Sequence, residues 1–229
     1  MALILSIETA TQVCSVSAHK DGLLLGVNEV HLNNVHSQKL MGVISNLMNQ
    51  LDLASKDLDA VAVSCGPGSY TGLRIGVSIA KGFSFALDIP LIAVGTLESL
   101  AAQAVPLCLK GDFVIPMIDA RRMEVYASVI DFEGKVVKTA EPVVLESNPF
   151  EEYLSKGNVY FLGDGMSKAK EILNHPNARF LPFSISSKTI GELAYKKFDA
   201  GDFEDLAYFE PNYLKEFRVL QSKKNPLLV

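Results

Sequence analysis

The chain has 229 residues, 48% of them hydrophobic, 21% charged and 8% aromatic, with a mean hydropathy of +0.22. Such a length allows one large domain or two lobes of about 110 residues, and the apolar content excludes intrinsic disorder. Lys and Arg total 21 against 26 Asp and Glu, a net charge of -5, so a general nucleic-acid binder is disfavoured and any RNA contact would lean on a partner for its phosphate contacts. In chain order, 3–7 reads as an apolar strand, 13–18 as an alternating strand, Asp21-Gly22 as a hairpin turn and 23–30 as a third strand. Ser37 stands as the N-cap of a helix to about residue 51, with Leu40, Ile44, Leu47 and Leu51 at helical spacing. A short buried strand at 61–63 ends in the loop Cys65-Gly66-Pro67-Gly68-Ser69-Tyr70. A helix over 71–87, a strand at 90–94 and a helix over 97–104 follow, and 106–111 is the expected boundary.

The second half repeats the first. An apolar strand at 113–118 ends in Asp119-Ala120-Arg121-Arg122, 124–130 alternates, Glu133-Gly134 turns, and a third strand starts at Val136. Placing Glu8 over Asp119 aligns the two units without a gap. The segment 159–162 leads into Gly163-Asp164-Gly165 and a helix, as 61–63 leads into Gly66-Pro67-Gly68; a strand at 180–183 and a helix at 186–200 come last. Two lobes, 1–107 and 108–229, each an antiparallel meander continued as β-α-β, form an internal repeat. The pattern predicts the duplicated two-lobe α/β fold of actin, the sugar kinases and Hsp70, built on RNase H-like units.

In that fold the phosphates of ATP lie between two hairpin turns, glycine-rich so that the backbone can approach and donate N–H groups. A nearby carboxylate holds magnesium through water. Here the turns are Glu8-Thr9-Ala10-Thr11-Gln12 and Asp119-Ala120-Arg121-Arg122-Met123, both without glycine. They read either as a nucleotide site with Glu8 and Asp119 as metal carboxylates, or as hairpins kept for packing. The missing glycines favour the second reading: Glu8, Thr9 and Asp119 mark a vestigial cleft, and no cofactor is expected.

The run Gly66-Pro67-Gly68-Ser69-Tyr70-Thr71-Gly72-Leu73-Arg74 resembles two phosphate motifs and satisfies neither. A Walker A loop needs a lysine after Gly72, and the dinucleotide fingerprint needs glycine in place of Thr71. The run still joins a strand to a helix N-terminus, where free N–H groups can hold an anion. On the plainer reading its glycines serve the turn while Ser69 or Thr71 caps the helix.

In the helix that follows, Gly72, Gly76, Ala80 and Ser84 form a ridge of small residues suited to close approach by another helix. Leu73, Ile75, Val77, Ile79, Phe83 and Ala86 cover most of the remainder, leaving Arg74, Ser78 and Lys81 as a narrow polar strip. Such a helix is buried on two sides, by its own sheet and by either more of the same lobe or a second protein. The expected partner face is Leu40, Met41, Ile44, Met48, Leu73, Gly76, Val77, Ile79, Ala80 and Phe83, with methionines as adaptable contacts.

His19, His31, His36 and His175 lack the spacing of a helical metal pair, so no metal site is expected. Cys14, Cys65 and Cys108 form no C-x-x-C and read as buried thiols in a reducing compartment. There is no G-x-S-x-G, Ser69 has no assigned base, and no catalytic residue is expected. Lys215, Arg218, Lys223 and Lys224 read as a solvated tail or a small basic patch that reaches RNA within an assembly. Residues 1–10 read as a strand and not a signal peptide, and no stretch is long enough to span a membrane, so a cytoplasmic location is expected.

Ile7-Glu8-Thr9, Cys14-Ser15-Val16, His36-Ser37 before a helix, and above all Gly66-Pro67-Gly68-Ser69-Tyr70-Thr71-Gly72-Leu73-Arg74-Ile75-Gly76 resemble the bacterial TsaB (YeaZ) family. The match covers roughly 1–105 closely and the rest loosely, where Asp119-Ala120-Arg121 and Tyr126 still fit. It implies a non-catalytic partner of the larger homologue TsaD, in the pathway that makes threonylcarbamoyladenosine beside the anticodon of tRNAs. It further implies a TsaD heterodimer, TsaE as a third, ATPase component, a homodimer through the same helices when isolated, and tRNA contact only through the complex. The His-x-x-x-His metal motif of TsaD is absent here, and Glu8 stands where the family more often has Asp. The competing reading is an ATP-dependent phosphotransferase or acyltransferase acting in the interlobe cleft.

Overall fold

The computed structural model describes residues 1–32 and 36–215, and shows two five-stranded sheets of the same topology. In the first, β1 (Leu3–Glu8), β2 (Val13–Lys20) and β3 (Leu23–His31) form the antiparallel meander, and β4 (Ala60–Ser64) and β5 (Leu91–Val94) add parallel to β1. The second repeats this with β6 (Phe113–Asp119), β7 (Glu124–Asp131) and β8 (Val136–Val144), then β9 (Val159–Leu162) and β10 (Ala178–Leu181). The strand orders β3-β2-β1-β4-β5 and β8-β7-β6-β9-β10 superpose the meanders, and both central strands end on a carboxylate, Glu8 and Asp119. This is the two-lobe actin-like α/β fold.

Alternation along β1 fixes what each face buries. Leu3, Leu5 and Ile7 pack with Leu40, Ile44 and Leu47 of α1 (His36–Gln50) and with Val77 and Ala80 of α2 (Tyr70–Leu87). Ala2 and Ile4 point the other way, onto Ile190 and Ala194 of α6 (Ser187–Ala200). On the second sheet, Ile115 and Met117 pack with the short helices α4 (Glu151–Leu154) and α5 (Met166–Ile172), while Val114 and Ile118 pack with Leu97 and Leu100 of α3 (Thr96–Ala102).

The helices on the inner faces are therefore exchanged across residue 107. Helix α3, expected with the first lobe, lies on the second sheet, and α6, expected with the second, lies on the first. The reason for α6 is visible in polar contacts on β2. Ser187 N donates to Ser15 Oγ at 2.9 Å, Ser17 Oγ donates to Ser187 O at 2.8 Å, and Gly191 leaves space for the buried His19 ring.

Other boundaries shift for local reasons. Helix α1 starts at His36, so Ser37 is an exposed residue of its first turn and not its cap. The last strand lies at Ala178–Leu181, in parallel register with β9, and not at 180–183. Helix α4 and the 3₁₀ turns at Ser55–Asp57 and Val105–Leu107 carry no long periodic pattern. Of the basic tail residues, Arg218, Lys223 and Lys224 lie outside the described residues. Among the described residues no helix is long and apolar enough to cross a membrane.

Candidate functional site

The glycine-rich loop is held by contacts within the chain at every step. After β4, Gly66 takes a φ of +112° that favours glycine, precedes a cis Pro67, and exchanges hydrogen bonds with Thr96: Gly66 N to Oγ1 at 3.1 Å and Thr96 N to Gly66 O at 3.0 Å. Ser69 N donates to Ala10 O at 2.7 Å, and Ser69 Oγ accepts Gly72 N at 3.2 Å. Ser69 is thus the cap of α2, and Thr71 lies exposed in the first turn. Two amides expected to be free for an anion have partners within the chain.

The ridge of small residues faces inward. A Cβ at Gly72 would stand 2.1 Å from Thr9 O, one at Gly76 2.3 Å from Thr9 Oγ1, and one at Gly68 2.5 Å from Ala10 O. Thr9 Oγ1 donates to Gly72 O at 2.8 Å. Ala80 and Ser84, the next members, are buried as well. The expectation that this ridge admits a second protein's helix is corrected: it seats α2 on the turn after β1. Leu40, Ile44, Met48, Leu73, Gly76, Val77 and Ala80 are all buried within the chain. Of the expected partner face, Met41 is 52% exposed, and Ile79 and Phe83 are half-buried.

What α2 turns outward is a different stripe: Thr71, Arg74, Ser78, Gly82, Phe85 and Ala86, with Ile75 and Ile79 at its border. Phe85 is 81% exposed. It continues the outward line through Ser78 and Gly82 at helical spacing, a signal that the sequence carried and the width of the apolar arc obscured. An open hollow of about 500 Å³ between the N-terminal halves of α1 and α2 is lined by Ser37, Tyr70, Thr71, Arg74, Ile75, Ser78 and Ile79. Arg74 Nη1 donates to Tyr70 Oη at 2.8 Å with its guanidinium 5.2 Å from the Tyr70 ring centre, and Tyr213 lies on the same ring at 4.7 Å.

The cleft between the lobes is a cavity of about 330 Å³ lined by Thr11, Gln12, Val13, His31, Ile118, Asp119, Gly163, Asp164, Ser184 and Ile185. Of the three residues assigned to it, Asp119 lines it, whereas Glu8 and Thr9 are wholly buried. Glu8 Oε1 accepts Ala10 N at 2.5 Å and Ser64 Oγ at 3.0 Å, and Oε2 has no hydrogen-bond partner among the described residues. Burial pushes its carboxyl up to about 7, against the pull of the bonds from Ala10 and Ser64, and the charge of Asp164 adds to the rise. Asp119 instead pairs with Lys168 Nζ at 2.8 Å and accepts Arg121 N at 2.6 Å. Asp164, whose Oδ1 accepts Asp119 N at 2.8 Å, is raised by burial above the usual carboxylate range. It went unassigned as a cleft carboxylate, although it sits in the second lobe's Gly-x-Gly repeat of the family loop.

Among the described residues no group of three or more His, Cys, Asp and Glu is arranged to hold a metal ion. His19 is fully buried, and burial lowers it to about 4, with the Lys188 charge acting the same way. Burial also lowers His36. The thiols of Cys14, Cys65 and Cys108 are pushed up to about 11 by burial, and none is in a disulfide.

Three comparisons bear on this geometry. The family model described as "TsaD: tRNA N6-adenosine threonylcarbamoyltransferase" matches residues 26–221. The "tRNA threonylcarbamoyladenosine biosynthesis protein TsaB" of Bacillus subtilis (strain 168) is 32% identical over 173 residues, 74% of each chain. The protein of the same name from Escherichia coli (strain K12) is 36% identical over 123 residues, 54% of this chain and 52% of that one. The match thus spans about half the length of the Escherichia coli relative. Among solved structures, "YeaZ from Pseudomonas aeruginosa" superposes with a TM-score of 0.80 at 26% identity, over 93% of this chain and all of that one.

Proposed function

The chain belongs to the TsaB (YeaZ) family, and from that premise we propose that it is a non-catalytic subunit that forms threonylcarbamoyladenosine next to the anticodon of tRNAs together with homologues of TsaD and TsaE. It acts in the cytoplasm by binding the TsaD homologue as a heterodimer, pairs with itself when isolated, and meets tRNA only through the complex. The names of the relatives favour this over phosphoryl or acyl transfer in the cleft.

The observation that carries the reading is the outer face of α1 and α2. Its own lobe leaves Met41 and Phe85 uncovered, and the half-buried Ile75 and Ile79 line an open hollow on the same face of α2. Packing two further helices there would give an interface of ordinary size, roughly 1,600 Å² in total, with large apolar anchors at its centre. The inward set, by contrast, is spoken for by the lobe's own sheet.

The test separates the two faces. Ile79→Arg and Phe85→Glu leave the lobe folded by circular dichroism but abolish self-association in light scattering and co-purification with the TsaD homologue. Modification of tRNA in a reconstituted system, measured with and without the chain, falls in parallel. Val77→Asp instead unfolds the lobe, since its side chain lies in the core against β1. Outer-face variants that bind and modify like wild type place the partner surface elsewhere.

A further inference from the structure

Beyond α6 the chain crosses the molecule once more. Glu204 N donates to Leu91 O at 2.9 Å on the edge strand β5, and Leu206 and Phe209 pack on the first lobe's core. Asn212 N then donates to Cys65 O at 2.7 Å, beside Gly66, where a Cβ would stand 2.5 Å from Asn212 O. Tyr213 packs against Tyr70, the first residue of α2, with the rings tilted by 34°. Lys215 Nζ then forms an ion pair with Glu124 Oε2, on the second lobe. Glu124 opens β7 at the turn end of the hairpin whose other limb ends in Asp119, and its carbonyl accepts Ala120 N and Lys168 Nζ at 3.1 and 3.2 Å.

We propose that residues 202–215 are a clasp that sets the angle between the lobes and couples it to the outer face of α2. The lobes are also joined by the two covalent crossings, at 95–112 and 182–186, where α3 packs on α6 and Gln103 Nε2 donates to Ser184 O at 2.9 Å. The clasp adds a further non-covalent tie, and it lands on the hairpin that carries a wall of the interlobe cleft. One end of the tie is Lys215 on Glu124; the other, two residues away, is Tyr213 on Tyr70, which binds Arg74. A movement of the second lobe that pulls Glu124 away from Lys215 therefore acts on the ring that buttresses Arg74. By reciprocity, an occupant of the α2 face that holds Tyr70 and Arg74 in place also holds the lobes closed. The two-state element is the tie itself, made or broken, as a physical account of coupling requires.

The experiment uses the full chain alone, diluted to where light scattering gives a monomer, and reads amide hydrogen exchange, so its outcome does not depend on the proposed partners. Lys215→Glu places like charges together and speeds exchange in peptides covering 8–13 and 117–124 by roughly threefold or more, the scale of one exposed ion pair in a sub-global opening. Glu124→Lys alone does the same, and the two together restore the wild-type rates. Tyr70→Ala, made in the first lobe, speeds exchange at 117–124 in the second, whereas a purely local packing role changes only first-lobe peptides. Circular dichroism verifies that each variant is folded, and Lys215→Ala gives a milder form of the same loss. Unchanged exchange in Lys215→Glu, or a charge swap that fails to restore it, overturns the clasp; a Tyr70→Ala effect confined to the first lobe overturns the coupling.

Discussion

The same topological position, the turn after the central strand, has opposite environments in the two lobes. In the first, α2 runs 18 residues and presses Gly72 and Gly76 onto Thr9, sealing Glu8 beneath. In the second, α5 has only 7 residues, and Asp119 stays 42% exposed at the cleft, paired with Lys168. Beyond it, Arg121 and Arg122 take left-handed φ values of 66° and 47° on an open turn. A duplicated scaffold thus carries one turn converted to core and one still facing the cleft. The converted turn leaves α2 with a single outward stripe. A helix locked to its sheet by glycine contacts is the rigid platform that the proposed partner surface requires.

The comparison breaks most visibly at the glycines. Gly72→Ala drives a methyl into the Thr9 carbonyl, a backbone atom with little room to give, and costs about 3 kcal/mol or more in a denaturant melt. Gly82→Ala, on the same helix, meets nothing within 4 Å and stabilises by about 0.5–1 kcal/mol through helix propensity. Equal effects at the two positions would mean that α2 is not seated on the turn.

The second test is pH. The folded state raises Glu8 from 4.5 to about 7, so it holds a proton more tightly than the unfolded chain does. Its stabilising contribution is complete below 4.5 and is lost as pH rises through 7, a difference on the order of 3 kcal/mol at 1.36 kcal/mol per unit. His19 works in the opposite sense: lowered from 6.5 to about 4, it makes the fold less stable as pH falls through that window. Between 4.5 and 6.5 the two slopes oppose one another and flatten the profile. Glu8→Gln removes one of them, so the variant's melting temperature rises with pH between 4 and 6.5 and no longer declines toward 7. Glu8→Ala is a harsher change than a vestigial cleft implies. It leaves the Ala10 N–H and the Ser64 hydroxyl buried without their acceptor, at about 1–3 kcal/mol each.

How much of this was legible follows from what each signal reports. The apolar runs at 3–7 and 113–118, the alternation at 13–18 and 124–130 and the gapless overlay of Glu8 on Asp119 revealed the duplication, because the same strand signals recur in the same order. The spacing of Gly72, Gly76, Ala80 and Ser84 announced a close approach correctly. The identity of the approaching group was not legible, since a turn from 60 residues upstream and a foreign helix ask for the same small residues. For that reason Leu40, Ile44, Leu73 and Val77 were placed at an interface when they line the core. The exchange of α3 and α6 between the sheets was hidden because amphipathic periodicity says that a face is buried, never against which sheet. The Tyr213 and Lys215 contacts were beyond reach, lying in a segment with no regular structure and paired with residues far away in sequence.

The smallest expected effect lies in the second lobe's turn, and it sharpens the contrast. Asp119→Asn removes the ion pair with Lys168 but keeps an oxygen for the Arg121 N–H. The pair is partly exposed, Asp119 42% and Lys168 17%, so solvent screens it and its loss costs under about 1 kcal/mol. Lys168 retains the Glu124 carbonyl as a partner, which limits the penalty further. The melting temperature therefore drops by only a few degrees, and the profile across pH 4.5 to 7 keeps the wild-type shape because Glu8 and His19 still set it. A variant that instead loses as much stability as Gly72→Ala, or whose melting temperature climbs with pH as that of Glu8→Gln does, would show the two turns to be energetically equivalent, and the conversion of one of them to core would no longer distinguish the lobes.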